Sequence, residues 1–463
     1  MQGNKGTRTW TALAALACIL FFGAAPLHLL SADELTLTDQ NKPATGQLEK
    51  KDRSGGGSIA QGELLTLGRC IDIALRQNPA IVAAVNTVEA SRSRVGEARS
   101  NYYPQLNASG AYNRTSPVPG TTAAVTGARR TYDQYAANAT LSLNILDFGK
   151  TSSQVDIQKF NLDASRSDLN ATQDAIILNV KQAYYGVLQA RRTRDVAADV
   201  VKQFQQHLDQ ARGFYEVGTK AKIDVTRAEV DLSNAKLSLI RAENALKIAW
   251  VVLNNAMGVP DAPEYTIEDN LSFQKYAITL EEATTRAFEN RPDLKSLIAR
   301  REAADEGITL ARKGYFPVLD GSASYNWAGQ DFPLEDGWNA GVVLTVPLFS
   351  GFLTSHQVAE AKSSLYVVRA NEESLRQQVL LDVRQAYLNL HQAEESIATA
   401  ELAVKQAQEN LDLANGRYAA GVGSPIEVTD AFATYVNAQA TYTGALYNYR
   451  TAQADIERAM GAR

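Results

Sequence analysis

Cysteine is scarce in this sequence: only Cys18 and Cys70 occur among 463 residues. Cys18 lies within an apolar N-terminal run, so an oxidising compartment would leave one unpaired thiol and no internal disulfide. The fold must therefore be held together by packing rather than by disulfide bonds. Lipidation of Cys18 stays open as an alternative, although Leu16 stands one position away from where such a signal usually has its leucine.

Long apolar runs are also missing, because beyond the N-terminus no segment has the roughly 20 consecutive apolar residues of a membrane-spanning helix. Lys5 and Arg8 precede a short apolar run that ends in small residues, which is typical of a secretory signal peptide. We predict a signal peptide over residues 1–32. The polar, glycine-rich residues 33–63 predict a flexible N-terminal leader. If the mature protein crosses a bilayer, it must therefore do so with β-strands.

Residues suited to catalysis or metal binding are few. The four histidines are His28, inside the predicted signal peptide, and His207, His356 and His391, which lack metal-binding spacing and a cysteine partner. The sequence has neither a phosphate-binding glycine loop nor a serine-nucleophile elbow. The formal net charge is −5 and the basic residues are dispersed, which argues against nucleic acid as a partner. We therefore expect no metal, no cofactor and no enzymatic activity.

The sequence does contain an internal repeat, with two copies of the same order of helices and strands. Each copy reads as helix, two strands, long helix, tight turn and helix. The copies are predicted over residues 64–258 and 279–461, with an equatorial linker over 259–278. The second copy is shorter, and the difference falls within residues 105–141, where an insertion belongs in a surface loop. The recurring steps are Asn78-Pro79 with Arg291-Pro292, Tyr103-Pro104 with Phe316-Pro317, Gln182-Ala183-Tyr184 with Gln385-Ala386-Tyr387, and Met257-Gly258 with Met460-Gly461.

The first helix of each copy is predicted over about 66–100 and about 279–314. It ends near the tyrosine-proline or phenylalanine-proline step, since proline blocks helical continuation. The residues that follow alternate between apolar and polar with a period of two, which predicts two strands with one apolar face in each copy. The apolar files are Leu106, Ala108, Gly110 and Tyr112; Tyr135, Ala137, Ala139, Leu141, Leu143 and Ile145; Leu319, Ala323, Tyr325 and Trp327; and Trp338, Ala340, Val342, Leu344 and Val346.

The apolar face of these four strands needs a cover. It suits either a soluble sheet on a protein core or a barrel with lipid outside and water inside, and no leftover sequence could supply the core. Four strands cannot close a barrel, and open edges are not tolerated in lipid. The chain must therefore oligomerise. Two copies would give eight strands, and side chains fill the lumen of such a barrel. Three copies would give twelve strands. The sequence permits both numbers, but a barrel with an open channel favours three copies.

Two proline-free runs, from about 150 to 213 and from about 353 to 416, predict helices that each span on the order of 95 Å. Each is followed by a glycine turn and a returning helix, about 36 residues long in the first copy, whose apolar positions alternate by three and four. That spacing is typical of a coiled-coil seam, which holds helices side by side. The seams are Val225, Ala228, Leu232, Ala235, Leu239, Ala242, Leu246, Ala249 and Leu253, and Val428, Ala431, Tyr435, Ala438, Tyr442, Ala445, Tyr449, Ala452 and Ile456.

Over about residues 64–461 this layout resembles the TolC-like outer-membrane efflux protein family, also called outer-membrane factors. The resemblance implies a mainly α fold with a β-barrel: a trimeric 12-stranded outer-membrane barrel, four strands per chain, continuous with a long α-helical coiled-coil tunnel in the periplasm. It rests on the doubled proline steps, on the strand-to-helix corners at 143–149 and 346–351, and on the paired turns from Tyr215 to Val225 and from Tyr418 to Val428.

The resemblance also implies a function. The chain would be the outer-membrane channel subunit of a tripartite efflux pump or a type I secretion system, a passive exit duct gated at its periplasmic tip. Its partners would be two further copies, a periplasmic adaptor (membrane fusion) protein, an inner-membrane transporter and outer-membrane lipid. The alternatives are a periplasmic coiled-coil scaffold without transport activity and a surface receptor that binds through residues 114–134. The cargo, whether drugs, metals or proteins, cannot be read from the sequence.

The resemblance places the gate at the two turns. Asp224 and Asp430 match carboxylates that line or latch the tip in the family, and Tyr418 matches a tyrosine of that latch. The family's latch arginine falls on Gly423 here, and Lys220 is the counterpart in the first turn, so a differently wired latch is expected. The gate candidates are Asp224, Asp430, Tyr418, Tyr215, Lys220 and Arg227, and the candidate adaptor-docking turns are Gly218, Thr219, Gly421, Val422 and Gly423.

Three copies of Asp224 and Asp430 would place six carboxylates around one narrow opening. Such a ring favours cations and raises some of the carboxyl pKa values by mutual repulsion. The alternative is that both are solvated residues near the start of the returning helices, where an acid is favourable in any case.

Overall fold

The structure is a computed structural model that describes residues 59–116, 131–219 and 221–462. The predicted signal peptide, Cys18 and most of the predicted leader lie outside the described residues. So do Lys220 and most of the 114–134 segment, which means that the receptor alternative is not addressed by the structure.

The described chain forms fourteen α-helices and β-strands, arranged as two similar series. In chain order they are β1 (Leu64–Leu65), α1 (Leu67–Gln77), α2 (Pro79–Ser100), β2 (Gln105–Thr115), β3 (Tyr132–Leu146), α3 (Lys150–Glu216), α4 (Lys222–Met257), β4 (Thr266–Ile267), α5 (Leu280–Asn290), α6 (Pro292–Arg312), β5 (Val318–Gly329), β6 (Glu335–Thr345), α7 (Leu353–Ala419) and α8 (Pro425–Ala459).

The first helix of each series is broken in two, so the prediction of one continuous helix is wrong. Asn78 is extended (φ −64°, ψ 125°) ahead of Pro79, and its side-chain oxygen accepts a hydrogen bond from the N–H of Ala80 at 2.9 Å. Arg291 has a similar backbone (φ −56°, ψ 121°) ahead of Pro292. A residue before proline avoids the helical region, so each helix stops before the proline and a new one starts there.

The four longer strands form one antiparallel sheet in the order β2-β3-β5-β6. The alternation had predicted all four strands, and the structure confirms them. β2 and β6 are the edges of this sheet, and each has a partner on one side only within the described chain. Almost every residue of β2 and β6 is exposed, including Leu106, Tyr112, Trp338, Val342 and Leu344 of the apolar files.

The two long helices, α3 and α7, contain 67 residues each, which is about 100 Å of helix. The prediction of two such helices is confirmed. α3 begins where the Asp147 carboxylate accepts hydrogen bonds from the N–H groups of Gly149 (2.8 Å) and Thr151 (2.7 Å). In the described part of the chain, no helix combines the length and the apolar character needed to cross a membrane.

The returning helices pack as the heptad spacing predicted. α4 lies along α3 and α8 lies along α7, while α8 also contacts α3. We therefore treat α3 with α4 as the first hairpin and α7 with α8 as the second hairpin. No member of either predicted seam is exposed, and the buried members are Ala228, Leu232, Ala235, Ala242, Leu253, Val428, Ala431, Ala445, Tyr449, Ala452 and Ile456.

The largest hydrophobic core surrounds the middle of the long helices, and residues from the beginnings and ends of the repeats pack into it. The short strands β1 and β4 pair there in parallel, a contact that the sequence analysis did not predict. Tyr449 fastens the segment between β4 and α5, because its hydroxyl donates to the Gln274 carbonyl at 2.7 Å and accepts from the Tyr276 N–H at 2.8 Å. Cys70 is completely buried in this core with a free thiol.

Candidate functional site

The two turns between paired helices have the same backbone. Gly218 (φ +77°) and Gly421 (φ +74°) both take the left-handed conformation, which glycine adopts at little cost. The N–H of each donates to a tyrosine carbonyl three residues earlier, that of Tyr215 or Tyr418, at 3.0 Å. In the first turn, the Thr219 hydroxyl also donates to the Phe214 carbonyl at 2.9 Å.

The second turn closes more tightly than the first. The N–H groups of Val422 and Gly423 both donate to the Arg417 carbonyl, at 3.1 and 2.9 Å. A Cβ added at Gly423 would lie 2.8 Å from the backbone nitrogen of Tyr418, so an arginine at this position would not fit this turn. The turn's arginine is Arg417, which pairs with Glu427 at 3.2 Å; sequence reasoning missed it.

Tyr418 lies between the two hairpins of the chain. Its side chain is 3% exposed, and its ring lies 5.3 Å from the His207 ring and 6.0 Å from the Phe214 ring, both on α3. Burial raises the pKa of the Tyr418 hydroxyl, and the negative charge of Asp224 raises it further. The predicted latch tyrosine therefore packs against the first hairpin of its own chain.

Asp224 and Asp430 have different surroundings. Asp224 is half-buried in the first turn of α4, and its charge acts on both Tyr418 and His207. Asp430 is exposed on α8, beyond the first turn of that helix, whose acid is Glu427. One chain therefore brings Asp224, but not Asp430, to Tyr418.

The remaining gate candidates are more loosely placed. Tyr215 is 46% exposed, and Lys220 lies outside the described residues. Arg227 is exposed on α4, where its charge acts on Asp231. Burial raises the pKa of the Asp231 carboxyl, and the positive charges of His207 and Arg227 offset part of that increase.

His207 is the site residue that the sequence did not reveal. It is half-buried on α3, beside a cavity of about 260 Å³ between the hairpins. Burial lowers the pKa of its imidazole, while Asp231 and Asp224 oppose the change. The cavity is lined by Gln203, Phe204, Gln206, His207, Gln210, Leu411, Asn415, Tyr418, Ala419, Val428, Thr429 and Phe432.

The site contains hydroxyl, carboxylate, guanidinium and imidazole groups. These groups lie where the two helical hairpins pack against each other. Across residues 59–116, 131–219 and 221–462, no group of three or more histidine, cysteine, aspartate or glutamate side chains is placed to hold a metal ion. What the geometry can do is fix, or release, the position of the second hairpin relative to the first.

Comparisons with known proteins agree with this architecture. The sequence is 25% identical over 429 residues to outer membrane protein TolC of Escherichia coli (strain K12), covering 88% of this chain and 84% of TolC. The structure is similar to the CmeC outer membrane channel of Campylobacter jejuni, with a TM-score of 0.72 and 19% identity over 85% of both chains. It is also similar to CusC, with a TM-score of 0.75 and 19% identity over 88% of this chain and 95% of CusC.

These similarities confirm the predicted fold class for one chain, which is that of channels with a β-barrel and a helical tunnel. The model of the outer membrane efflux protein family matches residues 70–259 and 284–462, which is most of the sequence. Members of this family are channels rather than enzymes. The chain therefore belongs to the outer membrane efflux protein family, and it is an efflux channel subunit of the outer membrane.

Proposed function

We propose that three copies of this chain form one duct that carries cargo passively from the periplasm across the outer membrane. The observation that carries the proposal is the sheet, whose edge strands β2 and β6 each lack a partner on one side within the described chain. Unpaired backbone groups at such an edge are costly in lipid. Pairing β6 of one copy with β2 of the next satisfies both edges, and three copies supply twelve strands, a number within the range of outer-membrane barrels.

The helices supply the rest of the duct. Exposed apolar side chains on α4 and α7 support an assembly in which each hairpin also packs against a neighbouring copy, because isolated chains rarely expose so many large apolar groups on one element. Among these residues are Val230, Leu237, Ile240, Ile248, Val251, Leu381, Leu388, Leu402 and Leu413. Three copies of the two hairpins would then enclose a water-filled tunnel continuous with the barrel.

The turns are the proposed gate and docking surface. Exposed backbone and side chains at Gly218, Thr219, Gly421 and Val422 suit binding by an adaptor protein, and an inner-membrane transporter would supply both the energy and the choice of cargo. The gate proper is the packing of Tyr418 against the first hairpin, where the charge of Asp224 acts on it. Asp430, Tyr215, Lys220 and Arg227 stay gate candidates because of their positions in the sequence. No catalytic step is needed for this function.

A planar-bilayer experiment tests the proposal. Purified full-length protein is expected to insert and conduct ions, and Tyr418→Ala is expected to raise the conductance because it removes the ring that holds the second hairpin against the first. Tyr442→Ala, a change of the same kind in the α8 seam away from the turn, serves as the control and is expected to conduct like the wild type. A protein that does not conduct at all would favour the scaffold alternative.

A further inference from the structure

The two hairpins meet near the turns through aromatic rings. The His207 ring of α3 lies 5.3 Å from the Tyr418 ring of α7, at an interplanar angle of 50°. A second contact joins Phe204 of α3 to Phe432 of α8, edge to face at 5.1 Å. Of these rings only the imidazole changes charge near neutral pH, so the His207 contact is the one whose strength responds to pH.

The charged groups around His207 all belong to its own hairpin. Among the described residues, those that act on it are Asp231 and Asp224, both on α4, and Arg227 on the same helix acts on Asp231. The second hairpin presents Tyr418 and uncharged side chains to the same cavity, among them Asn415 and Thr429. A protonated imidazole is therefore attracted toward α4 and finds no anionic partner on α7 or α8 in this cavity.

Protonation of His207 favours separation of the two hairpins. Burial lowers the pKa of His207 in the packed arrangement, in spite of the two nearby carboxylates. When the hairpins separate, the ring returns to water and to its ordinary pKa of about 6.5. Above about pH 6.5, the neutral ring therefore stabilises the packed arrangement fully. This stabilisation is lost as the pH falls through the lowered pKa of His207.

We propose that His207 is a positioning residue of the gate, whose neutral ring holds Tyr418 and the second hairpin in place and whose protonation loosens them, so that mild acid opens the channel. The carboxylates that attract the imidazolium, Asp231 and Asp224, lie on α4, and neither of them lines the cavity between the hairpins. This inference rests on the proposed gate at Tyr418, and it adds pH control to that gate.

The test is channel conductance in planar bilayers, with wild-type full-length protein compared at about pH 7.5 and about pH 5.5. The wild-type conductance is expected to rise about twofold or more in acid. His207→Phe keeps a ring of similar size that cannot be protonated, so it is expected to conduct at the low level at both pH values. His207→Gln removes the ring, so it is expected to conduct at the high level at both, and it stands in if the phenylalanine variant fails to assemble.

The outcomes separate the two proposals. If Tyr418→Ala opens the channel at about pH 7.5 while His207→Phe responds to acid as the wild type does, the gate stands and the role of His207 is overturned. A wild-type conductance that does not rise in acid overturns it as well. If Tyr418→Ala leaves the conductance unchanged, the gate itself is wrong, and the role of His207 falls with it.

Discussion

Gly258, at the end of α4, lies directly against Asn78, at the break between α1 and α2: a Cβ added at Gly258 would be 2.7 Å from the Asn78 Cα. The Asn78 amide also donates to the Ala256 carbonyl at 3.0 Å. The second series repeats the arrangement, since a Cβ at Gly461 would be 2.9 Å from the backbone nitrogen of Arg291. Each returning helix thus ends in a glycine that packs on the break in the first helix of its own repeat.

We expect Gly258→Ala to be strongly destabilising. The left-handed backbone of Gly258 (φ +75°) costs an alanine about 1–2 kcal/mol, and displacement of the Asn78 backbone adds about 1–3 kcal/mol. Gly218→Ala is the matched control, because Gly218 has nearly the same φ but open space around it. Thermal melting followed by helical circular dichroism in detergent should show the larger loss for Gly258→Ala, and equal losses would contradict the close packing.

The break at Asn78 shows where prediction from the sequence succeeds and where it fails. The doubled motifs, the alternating strands and the heptad seams are local signals, and each predicted its element. The proline rule was also available at Pro79 and Pro292, but the helical pattern on both sides concealed the break. The β1 and β4 pairing has only two residues in each strand, too few to show a period, so it could not be predicted.

A second prediction concerns Arg291, which pairs with Asp293 at 2.6 Å and with Asp382 at 2.9 Å. Burial opposes ionisation of Asp293, but hydrogen bonds and charge from Arg291 outweigh it and lower the pKa of the carboxyl. The pair therefore stabilises the fold above the ordinary carboxyl pKa of about 3.9, and the stabilisation is lost as the pH falls through the lowered value.

Replacing Asp293 with asparagine should lower stability at about pH 7 by about 1 kcal/mol, a modest figure because the carboxylate is partly exposed. The difference from the wild type should shrink at about pH 3. Asp305→Asn, an exposed change on the same helix, is the control and should be neutral at both. Thermal melts at the two pH values decide the matter, and a difference that grows in acid would refute the assignment.

A third prediction concerns Cys70. Burial raises the pKa of its thiol to about 12, and the thiolate is the reactive form. N-ethylmaleimide should therefore modify Cys70 only after the protein unfolds. A cysteine placed on the surface by Ser233→Cys should react in the folded protein, and mass spectrometry of the labelled chain distinguishes the two. Rapid labelling of Cys70 in the native state would contradict the packing of the central core.

A fourth prediction concerns the two carboxylates of the proposed gate. The double variant Asp224→Ala and Asp430→Ala should raise the conductance in planar bilayers and abolish block by divalent cations, because a carboxylate ring attracts cations. Glu243→Ala, an exposed change on α4, is the control. Unchanged current and unchanged block would show that the two aspartates are only solvated surface residues.

The residues of the proposed gate could be predicted only in part. Tyr418 and Asp224 stand at recognisable places in the doubled turn motif, so their importance could be proposed from position. His207 lies within the uniform pattern of α3, and its role depends on which residue of α7 it faces, a tertiary pairing that no local pattern encodes. The resemblance implied that the family's latch arginine falls on Gly423, and the tight turn leaves no space for a side chain there.

The central claim is that one copy cannot close its own sheet, so several copies share one pore. Native mass spectrometry of the full-length protein, extracted from outer membranes in mild detergent, tests this most directly. The account predicts a particle of three copies that conducts ions when it is reconstituted. A stable single-copy particle with fully folded strands and no affinity for lipid would contradict it.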